Sequence, residues 1–257
     1  MTDLRTLDLK VLNSAAKYPQ IDTYHEIDRG RLLEKTVAFC GEVYLTEKVD
    51  GTNARIIVAP NGDFVLGNRE HLLYARGDFI ANPAEGIVDA LRGLAGRITA
   101  PEAGLRVYYL EVYGMHSGGK ITRASAEYTG SQAVGYRLFD AASIAPDVLT
   151  QPVEAISAWR KNGGQRFHTE QELSAAAEQN AVALTPRLGS VPSSELPTGL
   201  KEMQDFLAEQ LPATRAALDD GGTGRPEGIV LRTADRSVIA KARFEDYART
   251  FNSRTKR

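Results

Sequence analysis

The chain has 257 residues, 42% hydrophobic, 25% charged and 7% aromatic, a balance that suits one large or two small globular domains and excludes disordered and collagen-like chains. A formal charge of −2 excludes a uniformly basic nucleic-acid coat, so any polyanion site is local; the basic end is the C-terminal one, with nine basic and four acidic residues from Arg225 to Arg257. The single cysteine, Cys40, excludes an intrachain disulfide or cysteine zinc site, and no stretch has the apolar length of a membrane span, so a cytoplasmic protein without a membrane partner is expected.

Residues 16–31, with Pro, aromatics and charges in no clean period, predict an irregular wrap. Glu42 to Lys48 alternates, a VDG turn follows, TNARIIVA resumes a strand, and PNGD leads into FVLGNRE: a three-strand antiparallel meander. Ile87, Val88, Leu91 and Leu94 predict an amphipathic helix between Pro83 and Gly96. Strands follow at Leu105–Gly114 and Gly135–Ala142. From about 150 to 215 PVEAISAWRKN, TEQELSAAAEQN and GLKEMQDFLAEQL predict a helical insertion, with Thr169 as an N-cap. LGSVPSSELPTG reads as a loop, DDGGTGRP as the most flexible stretch, and EGIVLRT and SVIAKAR as the final strands.

Lys48 ends its strand beside the Asp50–Gly51 turn. A lysine before a turn is ordinarily a solvated lysine, so its company decides. Glu111, Tyr136, Glu227, Lys241 and Arg243 all fall on predicted strands, and the i, i+2 spacing sets Lys241 and Arg243 on one face. If these strand ends converge, they supply a nucleophilic amine, two further cations, two carboxylates and an aromatic face, which is a set suited to nucleotidyl transfer. Lysine attacks phosphorus only when neutral, and burial beside other cations favours the neutral amine.

EKVDGTN resembles the KxDG nucleotidyl-acceptor motif of the covalent nucleotidyltransferases, the superfamily of polynucleotide ligases and mRNA capping enzymes, and the TN leans toward RNA ligases. The order also matches: Lys48 in motif I, Arg69 downstream, Glu111 in motif III, Tyr136 and Phe139 in motif IIIa, Glu227 in motif IV, and Lys241 with Arg243 in motif V. The resemblance implies an α+β fold, the ATP-grasp-like adenylation domain of DNA and RNA ligases, built on antiparallel sheets with flanking helices over residues 1–247, followed by a basic tail at 248–257. It implies an ATP-dependent RNA ligase in which Lys48 takes AMP from ATP with Mg2+ or Mn2+, passes it to a 5′-phosphate, and seals that end to a 3′-hydroxyl.

By the same resemblance, Glu47 and Glu111 are nucleotide-binding, Tyr136 stacks on adenine, Phe139 belongs to the core, and Glu227 holds a divalent ion through water. Lys241 and Arg243 contact the α-phosphate. The family commonly has lysine at both positions, so Arg243 departs from the pattern while keeping the charge. Asn53 and Arg69 match positions that engage the acceptor strand or its phosphate. YHEI at 24–27 resembles the segment before motif I and receives no chemical role; His25 reads as a surface or packing histidine.

Only 14 residues follow Arg243, too few for the C-terminal OB-fold of DNA ligases and capping enzymes. The RNA clamp is then expected from an accessory protein or from the tail, through Arg249, Phe251, Arg254, Lys256 and Arg257. Gly114–Lys120, GMHSGGK, has P-loop spacing, but Ile121 stands where a Ser or Thr would ligate magnesium, and that reading is rejected; His116 in that loop belongs to no histidine cluster. The competing readings are a DNA ligase, an RNA-end adenylyltransferase that needs a partner, and a non-catalytic RNA-binding module.

Overall fold

The computed structural model describes residues 3–81, 86–116, 119–120 and 125–254. Its helices are α1 Leu9–Ala15, α2 Ile87–Ala95, α3 Ser125–Tyr128, α4 Val153–Lys161, α5 Glu170–Gln179, α6 Leu200–Gln210 and α7 Phe244–Arg254. The strands are β1 Asp22–Thr23, β2 His25–Asp28, β3 Arg31–Thr36, β4 Glu42–Lys48, β5 Thr52–Val58, β6 Phe64–Asn68, β7 Leu72–Ala75, β8 Asp78–Phe79, β9 Leu105–His116, β10 Gly119–Lys120, β11 Val134–Ile144, β12 Arg166–Phe167, β13 Arg187–Pro192, β14 Gly228–Thr233 and β15 Ile239–Arg243. They form two compact units: Met1–Pro19 with Gly51–Ser125 and Gln132–Leu184, and Gln20–Asp50 with Ala126–Ser131 and Thr185–Arg257.

In the first unit the β-branched and aromatic runs of β5 and β9 pair at the centre of an antiparallel sheet ordered β12-β11-β9-β5-β6-β7-β8, with β10 on β9. Both faces are buried, which is why these strands read as nearly continuous apolar runs. Ala54, Ile56, Tyr108 and Leu110 pack with Leu91 of α2 and Leu173 of α5, while Ile57, Val107 and Tyr109 pack with Leu12 of α1 and Ile156 of α4. Thr169 caps α5 as expected: its hydroxyl accepts from the Glu172 N–H and the Glu172 carboxylate accepts from its own N–H, at 3.1 and 2.9 Å. Phe139 packs against Tyr18 and Tyr109, in the core role expected of it.

The second unit holds a five-stranded sheet ordered β1-β15-β14-β4-β13, antiparallel except for β1 against β15. Leu45, Ile229, Leu231, Ala240 and Ala242 form its apolar face and pack with Met203 and Leu207 of α6 and Tyr247 of α7. The hairpin β2–β3 completes the unit.

Several expectations are corrected. Of the expected meander only the second hairpin forms: β5 pairs with β6 across PNGD, but β4 pairs with β13 and β14 and β5 takes β9 on its other side, so VDG carries the chain from one unit into the other instead of closing a hairpin. The stretch read as an irregular wrap supplies β1, β2 and the first residue of β3, and the stretch read as a loop at 188–199 contains most of β13, whose strand character comes from the edge of β4 rather than from its own Gly, Ser and Pro.

The glycine-rich stretch before Glu227 is tied down. The Asp219 carboxylate accepts from the hydroxyls of Thr129 and Ser131 and from the Gly130 N–H, at 2.5, 2.7 and 2.8 Å, and these bonds hold that carboxyl well below the usual range. Leu218 and Thr223 donate from their backbone to Tyr128 and Ala126. The glycines are needed for closeness: a Cβ on Gly130 would meet the Gly221 Cα at 2.8 Å.

Helix α7 runs across the boundary between 247 and 248 at which the tail is expected to begin. Arg249 pairs with Asp246 and Glu245, and Phe251 packs against the apolar face, so both are engaged inside the unit; Lys256 and Arg257 lie outside the described residues. In the rejected P-loop, β9 runs on to His116 and Gly119–Lys120 pairs back on it; Ser117, Gly118 and Ile121 lie outside the described residues. Among the described residues no helix is long and apolar enough to cross a membrane.

Candidate active site

Strand register builds the site in the second unit. Lys48 of β4 lies opposite Gly228 of β14, which lies opposite Arg243 of β15, and residues in register share a face of the sheet. Two residues along, Thr46, Val230, Lys241 and Thr23 form a second row on that face. The three cations therefore stand on one side, opposite the apolar face. Lys48 and Arg243 are two strand spacings apart, about 10 Å between Cα atoms, and the residue between them has no side chain. Gly228 is required on packing grounds too, since a Cβ there would sit 2.2 Å from the Ala242 carbonyl oxygen.

The Lys48 Nζ donates to Glu227 Oε2 at 2.5 Å, with the two side chains 24% and 17% exposed. The sequence reading had the lysine and this acid in one cleft, and the pair is joined directly. Burial pushes the Glu227 carboxyl up, against the opposing pull of Lys48. Arg243 forks onto Asp246 in the first turn of α7, Nε to Oδ2 at 2.8 Å and Nη2 to Oδ1 at 2.9 Å. Asp246 is 2% exposed and also accepts from Arg249. The planar fork that distinguishes Arg243 from lysine is thus spent on orienting the guanidinium from within the unit.

Glu47 is out of phase with Lys48 by one residue and points to the apolar side. It is fully buried, and its carboxylate accepts from the Thr214 hydroxyl and from the Arg215 N–H, the latter at 2.7 Å. The side chain thereby anchors the segment after α6 to β4. The turn after Lys48 is pinned by a residue that sequence reasoning missed. The Asp50 N–H donates to the phenol oxygen of Tyr128 at 2.6 Å; Tyr128 is fully buried, and burial raises its phenol. Tyr128 carries no motif signal, since its partner is a backbone group 78 residues away.

The remaining predicted residues belong to the first unit. Asn53, Glu111 and Arg137 are in register across β5, β9 and β11 and share one face, where the Arg137 guanidinium donates to the Tyr113 phenol oxygen at 3.2 Å. Tyr136 is in register with Val112, one residue out of phase with Glu111, and packs against the cluster of Ala54 and Leu110. The structure therefore places the expected base-stacking ring and the expected ribose acid on opposite faces of their sheet. Arg69 ends the β6 turn, 63% exposed and 3.8 Å from Glu70. Gly51 lies against β9, where a Cβ would meet the Val112 carbonyl oxygen at 2.5 Å, so the glycine of KxDG is fixed by packing.

A divalent ion has few donors here. Among the described residues no three His, Cys, Asp or Glu groups converge as a metal cage. Glu227 alone suits an ion that keeps most of its water, as magnesium does.

The RNA ligase family model matches residues 41–244, a span that contains every one of these positions. The chain belongs to the RNA ligase family. Solved structures that this RNA ligase family member resembles include a variant of the Naegleria gruberi RNA ligase with ATP and Mn, 13% identical, covering 92% of this chain and 62% of that one, with a TM-score of 0.49. An archaeal ATP-dependent RNA ligase is 15% identical, covering 90% of this chain and 49% of its own, with a TM-score of 0.49. The family member thus spans about three fifths of the Naegleria chain and half of the archaeal one. None of the curated proteins matches it.

Proposed function

We propose that this RNA ligase family member joins RNA ends with ATP as the source of AMP. The reading rests on one observation above the others: Lys48 shares a sheet face with Lys241 and Arg243 across the gap at Gly228. In the first step the neutral Lys48 Nζ attacks the α-phosphorus of ATP; a P–N bond forms, the bond to the bridging oxygen breaks, and pyrophosphate leaves. In the second, a 5′-phosphate oxygen displaces the lysine and carries AMP away. In the third, a 3′-hydroxyl oxygen attacks the 5′-phosphorus, loses its proton, and releases AMP as the phosphodiester forms.

The chain's own residues hold and neutralise. The Glu227 carboxylate keeps the Lys48 amine in place until phosphate enters. Lys241 and Arg243 meet negative charge on the phosphoryl oxygens, and the hold of Asp246 on Arg243 removes the cost of orienting it during reaction. A divalent ion, when bound near Glu227, neutralises charge on the leaving phosphates. Asn53 and Glu111, which share a sheet face, and Arg69 are assigned to nucleotide and strand contacts. Joining 5′-phosphate to 3′-hydroxyl ends is the chemistry of strand repair.

The test is incubation with ATP labelled at the α-phosphate and Mg2+ or Mn2+. An acid-labile adduct is expected, absent in Lys48→Ala, and an unlabelled wild-type chain overturns the reading. Sealing assays on nicked RNA, nicked DNA and single strands then separate an RNA ligase from a DNA-joining enzyme and from an end-adenylylating one.

A further inference from the structure

The cation face does not stop at β15. Beyond it lies a cavity of about 650 Å3, within the size range of ligand sites, whose lining includes Thr23, Glu26, Lys35, Thr36, Lys241 and Arg243. Thr23 of β1 is in register with Lys241, so the floor of the cavity continues the face that carries Lys48, while Lys35 and Thr36 reach it from β3. Three strand spacings separate β4 from β1, about 14 Å. A phosphate bonded to Lys48 is held near β4 and meets the cavity at its Lys241 and Arg243 edge, so the far side, at Thr23, Lys35 and Thr36, serves a different phosphate.

Its chemistry is that of a backbone track and not of a base pocket. None of its described lining residues is aromatic, hydroxyl donors and cations stand together, and bases are ordinarily held by stacking on aromatic rings. Glu26 and Asp22 also line it, and Lys35 is paired with Glu26 at 2.8 Å, which holds the ammonium at the rim.

We infer that this cavity takes the phosphodiester backbone of the polynucleotide strand, with Lys35 as a phosphate contact and Glu26 as the carboxylate that the phosphate displaces. The inference rests on the RNA-joining reading for the identity of the strand. Lys35 is 79% exposed on its side chain, so replacing it leaves the core intact.

The probe is a 5′-phosphorylated single-stranded RNA oligonucleotide whose affinity is followed by fluorescence anisotropy over a range of salt. Lys35→Ala should weaken binding about threefold to tenfold and reduce the slope of log affinity against log salt by about 0.7, the loss of one phosphate contact on a single strand. Lys35→Glu should weaken it further, and Glu26→Gln should strengthen it about twofold to threefold. Variants that shift affinity in the same direction, or an unchanged salt slope, overturn the inference. So does a rise in the KM for ATP with RNA affinity untouched, which assigns the cavity to the triphosphate instead. Adduct formation on Lys48 is scored separately: a wild-type chain that makes no adduct removes the proposed function, while the opposite effects at Lys35 and Glu26 still decide the cavity.

Discussion

The backbone N–H of Asp50 donates to the phenol oxygen of Tyr128 at 2.6 Å, so the turn that follows Lys48 is closed by a side chain and not by a hairpin partner. Tyr128→Phe removes the acceptor of that half-buried N–H, a loss of about 1 kcal/mol. The variant should unfold at lower temperature and, well below its midpoint, load AMP onto Lys48 more slowly in a single turnover. An unchanged midpoint shows that the bond contributes nothing to the turn.

Gly228 lets the β14 backbone lie close against Ala242 and Arg243 of β15. Gly228→Ala forces a Cβ to within 2.2 Å of a carbonyl oxygen, and strand separation is expected to cost about 3 kcal/mol. It also fills the gap between Lys48 and Arg243. Denaturant unfolding should show a lower midpoint, and adduct formation should fall more than the folded fraction does; wild-type values for both refute the close-packing argument.

Arg243→Lys keeps the charge and loses the fork. Asp246, 2% exposed, then keeps Arg249 but loses the fork, and the expected destabilisation is about 1–3 kcal/mol. Asp246→Asn in the wild-type background should cause a similar loss, and the double variant less than the sum of the two, because both remove one interaction. Simple additivity in urea titrations contradicts the coupling.

His25 makes the stability of the second unit depend on pH. The fully buried ring donates from Nε2 to the Thr198 carbonyl at 2.8 Å and accepts at Nδ1 from the Tyr247 hydroxyl at 2.7 Å, which is the neutral form. Burial holds its pKa below the ordinary imidazole value, against the opposing pulls of the Thr198 carbonyl and Glu34. The unfolded chain then binds the proton more readily than the folded one, so this contribution is present above the unfolded value and is lost as pH falls through the window beneath it. His25→Gln should flatten the dependence of the unfolding midpoint between about pH 7.5 and 5. Equal slopes for wild type and variant rule His25 out as the source.

Helices with a clear apolar stripe were legible in the chain: α2, α4, α5 and α6 lie where periodicity sets them, because an amphipathic helix writes its burial into spacing three and four residues apart. Strands legible by alternation were also found, but of the meander pairings only that of β5 with β6 is present. Asp-Gly after Lys48 carries the usual hairpin signal, and the chain overrides it because Gly51 packs on β9 while the Asp50 N–H goes to Tyr128. β13 and the glycine-rich stretch were missed for a related reason, as each is ordered by a distant segment, the first by β4 and the second by Ala126–Ser131.

The linear order of Lys48, Glu111, Glu227, Lys241 and Arg243 was enough to point to the RNA ligase family, because residue types and their sequence are written in one dimension. Which of them share a face was not. Strand register decides that, and it depends on contacts between residues far apart in the chain: it sets Lys48, Lys241 and Arg243 together, turns Glu47 inward, and puts Tyr136 and Glu111 on opposite sides of their sheet. A shift of one residue in any of those pairings would reverse each assignment, since side chains alternate along a strand with a period of two.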